Sequence, residues 1–439
     1  MEGLLSWKRL CFLLGGLIVL QFTFLFSSRL GRDMSPDILN KLHHSRPYHA
    51  KPQPVQSTSQ QITTNSSDYT QDRCETEFPD LYLPIDKTVS YWKDRGHTIN
   101  SKDMDISWRP DGAIRILIHQ NELRVLQTKG VLTRRDYHIR AVSILSMIQR
   151  ALESATRAGE ILPTIEVPLI MDDRSGLKGH PEATNTAWAW ASNSENANHE
   201  RQWLMPDFNF YSSPSSGSYA EQLRMAEQMD SDFEDKISKA YWRGVLWTAK
   251  ELRGPLLDSM KGEYWADAAA VDWKTRENIV AMEEHCRYAF NVHTEGRSYS
   301  GRLPFLMNCD SVPIIHPLKW TAHFYHLLEP SGENQNYVSV RRNFSNLKEV
   351  VEYYLDRPRE AQRIIENGKR IFRDKYLTPE ATSCYFRRLI RAFGEVSFQP
   401  NASRPANKML SYRPRGMAFD AFVHVNEDYD DEKWSERWD

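Results

Sequence analysis

Charge of one sign is not in excess in this chain. Its 56 basic and 58 acidic residues leave a formal net charge of −2, so no basic field marks a nucleic-acid partner. No segment recurs at a period of ~20–50 residues, which excludes a solenoid. There is no Gly-x-Gly-x-x-Gly and no Walker loop, so neither a dinucleotide nor an ATP cofactor is indicated. Cysteine is scarce, at five in 439 residues. Aromatics are not: they make up 11% of the chain, with 13 Trp, a share that suits sugar stacking or simply an aromatic core.

The N-terminus carries an apolar run from Leu10 to Phe26, preceded by Lys8 and Arg9. It has the length of a short membrane span. Bulky Phe residues fill its end and Ser27-Ser28-Arg29 is a poor cleavage site, so an uncleaved signal anchor is expected rather than a signal peptide. Charge does not orient it, because Arg29 and Arg32 follow the span. Three glycosylation triplets, at Asn65, Asn343 and Asn401, favour a luminal body. So do the four cysteines outside the span, Cys74, Cys286, Cys309 and Cys384, an even number suited to an oxidising compartment. The expected layout is a cytoplasmic tail (1–9), a transmembrane helix (10–27), a disordered Ser/Gln/Thr/Pro-rich stem (28–72) and a luminal body in the Golgi or endoplasmic reticulum.

Within the body, Ala113 to His119 and Leu123 to Gln127 read as a β-hairpin. Ala141, Leu145, Ile148 and Leu152 mark one face of a helix. Ile165 to Met171 alternate around Pro168, which predicts an edge or irregular strand, ending at Asp172-Asp173-Arg174. A carboxylate beyond a strand end is placed to act as a general base. Trp188-Ala-Trp190 and Trp203 to Tyr211 suit an acceptor platform or packed loops. Ala220 to Ala240 reads as a bridging helix.

From Ala240 strands and helices alternate, which predicts a parallel, doubly wound sheet. Expected strands are 240–247, 263–270 (with Asp267), 287–293 and 311–316. Expected helices are 248–260, broken at Gly254-Pro255, and 298–308. Arg243 and Arg302 stand near strand ends, and a helix starting at Ser298 would offer free N–H groups to a diphosphate. Helices follow at 346–355, 358–375 and 379–393. The stretch after Gln399 reads as a mobile tail, with a short element possible at 417–425.

Four motifs, Tyr241-Trp-Arg-Gly244, Cys286-Arg-Tyr-Ala-Phe-Asn-Val, Glu295-Gly-Arg-Ser-Tyr-Ser-Gly-Arg-Leu and Cys309-Asp-Ser-Val-Pro-Ile, resemble glycosyltransferase family 90, the capsule-associated-protein and Rumi-like protein O-glucosyltransferase group. The resemblance spans Val167 to Gly394. It implies a GT-B-like α/β fold, with two Rossmann-like domains facing a cleft: an acceptor side (73–240) and a UDP-sugar side (241–395), followed by a tail (396–439). It implies inverting, metal-independent transfer of glucose or xylose from a UDP-sugar to a glycan, glycolipid or glycoprotein hydroxyl. Asp173 matches the family's catalytic Asp, with Asp172 as alternative; family members often carry an aromatic residue and Pro next, where this chain has Arg174-Ser-Gly. Arg243, Ser298 and Arg302 match diphosphate-facing positions, Gly244 completes the Arg-Gly turn, and Glu295 and Gly296 form the turn before Ser298. Arg253 resembles an arginine in the following helix at a different spacing. Of three possible cysteine pairings, the resemblance implies Cys74–Cys384 and Cys286–Cys309. Two other readings remain. A metal-dependent GT-A transferase needs an Asp-x-Asp, and Asp103, Asp230 and Asp428 each begin one. An inactive sugar-nucleotide-binding homologue would have lost its base.

Overall fold

Two sheets carry the chain. After α1 (Gln71–Glu77) and α2 (Leu83–Asp94) the first sheet opens with β1 (Ala113–His119) and β2 (Glu122–Lys129). Gln120 and Asn121 join them, both at left-handed φ of 50° and 61°, as a two-residue I′-type hairpin requires. Helix α3 (Arg135–Arg157) follows, burying Ala141, Leu145, Ile148 and Leu152. Then come β3 (Ile165–Ile170), β4 (Trp188–Ala189) and β5 (Trp203–Leu204). The structure, a computed structural model, describes residues 69–177, 179–180, 182–214, 216–405 and 412–433, all within one unit, Asn65–Asp439. The expected cytoplasmic tail, span and Asn65, with nearly all of the stem, lie outside them. Among the described residues no helix is long and apolar enough to cross a membrane.

The first sheet is mixed. β3 pairs antiparallel to β1 but parallel to β4, so this half departs from a fully parallel Rossmann-like layout; the hairpin at its start forces one antiparallel pair. β3 is also internal rather than an edge strand. Its neighbour β4 is two residues long and pairs with it only at Leu169, which leaves little ladder for Pro168 to disrupt. Trp188 and Trp203 are buried core rather than an exposed platform. Trp188 and Trp203 pack edge-on against Phe393, each such pair contributing about 0.5–1.5 kcal/mol.

Helix α4 (Tyr219–Met229) starts on a Ser218/Glu221 capping box and stops well before Ala240. The chain then enters β6 (Ile237–Gly244), α5 (Lys250–Met260), β7 (Ala266–Ala270), β8 (Tyr288–His293), the single turn α6 (Leu303–Leu306), β9 (Val312–Ile315) and β10 (Val338–Ser339). The order β7–β6–β8–β9–β10 is parallel at every pair, as the alternation predicted. Two expectations fail locally. α5 runs through Pro255 without a break, and no helix begins at Ser298.

Helices α7 (Leu347–Leu355), α8 (Pro358–Gly368, continued by wider π-type turns to Tyr376) and α9 (Pro379–Val396) complete the body. α9 crosses back to pack on α2 and α3, and Cys74–Cys384 ties it to α1. Cys286–Cys309 closes the second bridge. The stretch after Gln399 is not the mobile tail expected. β11 (Met417–Ala418) adds to the free edge of β2, and Asp428 accepts the backbone N–H groups of Gly130, Val131 and Leu132.

Replacing Cys74 and Cys384 by Ser is expected to lower unfolding free energy by about 5–6 kcal/mol, and opening Cys286–Cys309 by about 3, because the first closes a loop of 310 residues and the second one of 23. Urea midpoints followed by tryptophan fluorescence measure both.

Candidate active site

The turn from Gly296 to Arg302 sits where the two halves meet. Gly296 N donates to Ser298 O at 3.0 Å, folding the turn back on itself. Ser298 Oγ then donates to the Asp173 carbonyl at 2.6 Å, and Arg174 Nε donates to the Arg297 carbonyl at 2.6 Å. Tyr299 OH donates to Asp207 Oδ2 at 2.7 Å. One turn of the second half is thus held by two acidic segments of the first. Its ends are close approaches: a Cβ on Gly301 would lie 2.5 Å from Asp207 Oδ2, and one on Gly296 3.3 Å from Arg253 Nη2.

Beneath this turn lies a cavity of about 400 Å³. Asp173, Arg243, Gly244, Arg253, Gly296 and Arg302 all line it. Asp172, Glu295 and Ser298 do not. Asp172 turns to Arg109, with Nη2 at 3.2 Å; burial raises its pKa, but the arginine and the Tyr137 hydroxyl outweigh that and hold it below the usual range. Glu295 is buried on the other side of the turn, accepting the N–H groups of Lys319 and Trp320 and pairing with Arg342 at 2.8 Å. Ser298 is spent on Asp173, and the missing helix removes the free N–H groups expected there.

The cavity's charges divide into paired and unpaired. Arg140 Nη1 meets Asp173 Oδ1 at 2.8 Å and the Met171 carbonyl at 2.9 Å, so α3 fixes the carboxylate that follows β3. Arg243 Nη2 meets Asp267 Oδ1 at 2.6 Å, and its guanidinium lies over the Tyr241 ring. Arg253 and Arg302 have no carboxylate partner among the described residues. Arg253 donates to the carbonyls of Glu295 and Val245 and to Thr248 Oγ1. Among the described residues Nε and Nη1 of Arg302 are buried without a partner. Both guanidinium carbons stand 5.7 Å from the centroid of Trp242, whose indole N–H is fixed on Thr294 Oγ1. Burial pulls Arg253 down to about 10. Burial, then Arg253 nearby, pulls Arg302 down to about 9. Two adjacent cations without an anion form a site for one. Gly244 belongs to the same packing, since a Cβ there would meet Arg302 Nη2 at 3.0 Å and the Trp242 ring at 2.6 Å.

Arg140, Asp207 and Tyr299 were not singled out in the sequence. Asp207 lies within Trp203 to Tyr211, the stretch that suits an acceptor platform or packed loops, and no other signal points to it. Its carboxyl is buried and pushed up by burial, with Asn209 N–H, Tyr299 and Arg140 acting in the opposite direction.

The Asp-x-Asp triplets lie in structural settings. Asp103 caps the Asn100 turn, Asp230 pairs with Lys236, and Asp428 holds the loop after β2.

Comparison with known proteins sets this geometry in a family. The profile of Glycosyl transferase family 90 matches residues 73–419. The chain belongs to glycosyl transferase family 90. It is similar to Protein O-glucosyltransferase 2 of Danio rerio, 26% identical over 178 residues, 37% of this chain and 34% of the relative. It is similar to Protein O-glucosyltransferase 3 of Homo sapiens, 31% identical over 120 residues, 27% of this chain and 23% of the relative. The O-glucosyltransferase rumi homolog of Aedes aegypti is 26% identical over 182 residues, 37% of this chain and 43% of the relative. The matched segments therefore span less than half the length of these curated relatives.

Asp207 gives a pH test. Its folded-state pKa is raised, so its contribution to stability is present at low pH and is lost as pH rises through the folded value. Asp207→Asn is expected to narrow its stability deficit against wild type as pH rises from 4 to 7, read from urea midpoints at each pH.

Proposed function

We propose that the chain is an inverting, metal-independent glycosyltransferase that moves glucose or xylose from a UDP-sugar to a hydroxyl of a glycan, glycolipid or glycoprotein. The observation that carries this reading is the Arg253–Arg302 pair, two buried guanidinium groups without a carboxylate in a cavity that Asp173 also lines. A diphosphate is the anion such a pair fits, and family membership supports a sugar as the group it carries.

In this mechanism Asp173 takes the proton of the acceptor hydroxyl. The oxygen attacks the anomeric carbon from the face opposite the diphosphate, the bond from that carbon to the phosphate oxygen breaks, and UDP leaves with the electron pair. Arg302 and Arg253, with Arg243, stabilise the charge that develops on the leaving group. That is the positive charge a metal supplies in other transferases. Arg140 orients the carboxylate and returns it to the same position after each turnover. A GT-B-like division into acceptor and donor sides is part of the proposal.

We also place the body in the Golgi or endoplasmic reticulum lumen behind a type II anchor at residues 10–27. Two disulfides and exposed acceptor asparagines at Asn343 and Asn401 support an oxidising, glycosylating compartment.

Asp173→Asn is expected to lower transfer by about 10²–10⁴-fold, the range for loss of a general base, with UDP affinity nearly unchanged. Arg302→Ala is expected to weaken UDP by roughly 10–100-fold, as for hydrogen bonds to a charged group. UDP release from a panel of UDP-sugars, with UDP binding by calorimetry, separates the two roles; equal loss of UDP affinity in both variants contradicts them. Transfer should persist in EDTA, and its loss there returns the metal-dependent reading.

A further inference from the structure

The cavity beneath the Gly296–Arg302 turn has a neighbour. Thr248, Gly296 and Arg297 line both that cavity and a second, open groove of about 520 Å³. The two also meet at one peptide of the first half: Asp173 lines the cavity and Arg174 lines the groove. A molecule that presents a hydroxyl to Asp173 and is longer than one sugar ring has this groove for its remaining rings.

The groove is built rather than slack. Arg174 Nε donates to the Arg297 carbonyl at 2.6 Å, which fixes the guanidinium and leaves its two Nη groups as a fork. Trp320 is held twice: its backbone N–H donates to Glu295 Oε1 at 2.7 Å, and its ring lies against His199, centroids 5.5 Å apart. The indole stays partly exposed at the groove.

Charge in the groove is out of balance. Two carboxylates line it. Glu295 is consumed by Arg342 and by the N–H groups of Lys319 and Trp320. That leaves Glu251, exposed in the first turn of α5. Against it stand Arg174 and Arg297, both exposed and both without a carboxylate partner among the described residues. The first turn of α5 lines the same groove and has no side-chain cap, so its free N–H groups add to the positive side.

We propose that this groove binds the acceptor and that the acceptor is an acidic glycan: one sugar ring packs on Trp320 while an oxyanion, carboxylate or phosphate, is held by Arg174 and Arg297. This rests on the nucleotide-sugar reading with Asp173 as base, and adds to it the chemical class of the acceptor. An acidic peptide would also satisfy the arginines. The fixed indole face favours a pyranose, whose C–H face packs on an aromatic ring while its hydroxyls stay in water.

The test is calorimetry on the full chain saturated with UDP, so that the Arg253–Arg302 pair is occupied. The probes are trigalacturonate, its methyl ester, glucose 6-phosphate, glucose and triaspartate. Trigalacturonate is expected to bind at least ~10-fold tighter than its ester, which keeps the rings and removes the charge. Arg297→Gln is expected to weaken trigalacturonate by roughly tenfold and to leave the ester and UDP unchanged. Arg174→Lys, which keeps the charge and loses the fork, should weaken it less. Trp320→Ala should weaken acid and ester alike. Asn343→Gln, which removes any glycan from the rim of the groove, is expected to keep this ranking. If only glucose 6-phosphate outbinds its neutral partner, the oxyanion is phosphate and the proposal holds. If neither charged sugar outbinds its neutral partner, or if triaspartate binds tighter than every sugar, the acidic-glycan assignment falls while the nucleotide site stands. If UDP itself does not bind, the nucleotide-sugar reading fails and takes the acceptor assignment with it.

Discussion

The hydrogen bond from Ser298 to the Asp173 carbonyl is the contact on which the site's geometry turns. It joins Asp173, three residues past the end of β3, to Ser298 within the Gly296–Arg302 turn of the other half. The Arg174–Arg297 and Tyr299–Asp207 bonds lie beside it, so three consecutive turn residues are each held by the first half. A side chain at Gly301 would strike Asp207, and one at Gly296 would crowd Arg253. Chain direction, glycine placement and hydrogen bonding therefore agree on one arrangement, which brings a carboxylate and two guanidinium groups to a single cavity.

That arrangement leaves charge out of balance on purpose of chemistry rather than of stability. Asp173 and Asp267 have arginine partners within 2.8 Å, while Arg253 and Arg302 have none among the described residues. Burial disfavours the charge of both, and Arg253 adds to this at Arg302. Both guanidinium groups lie by the Trp242 ring, and carbonyls surround Arg253. The cost of keeping them charged without an anion is what an anionic ligand relieves, and in the proposed mechanism a leaving diphosphate relieves it most as its charge grows.

The second sheet was legible because parallel strands buried on both faces leave short, mainly apolar runs, as in Tyr288 to His293 and Val312 to Ile315. The pair Asp173 and Arg302 was legible because strand ends and turns advertise themselves. Ser298 misled for a physical reason: Ser-Tyr-Ser-Gly has the residues of a helix start, but Pro304 and the demands of Asp173 and Asp207 hold the chain in a turn until Leu303. Glu295 misled because a buried carboxylate satisfied by backbone N–H groups looks, in sequence, like one facing a ligand. Trp188 and Trp203 looked like a platform because nothing local reports a partner as distant as Phe393. Asp207 depends on a contact across the chain, with Tyr299, and has no local signature.

The same long-range contacts bear on how the cleft works. Helix α9 belongs by sequence to the donor side, yet it packs on α2 and α3 and is tied to α1 by Cys74–Cys384. Leu303, Phe305 and Ile315 likewise join the core of the first sheet. The segment after Gln399 then returns to the far edge of that sheet, where Asp428 holds the loop that follows β2. The second half is thus gripped at both its turn and its C-terminal helix. A wide hinge opening would have to break the Ser298, Arg174 and Tyr299 contacts together and shear a buried aromatic cluster.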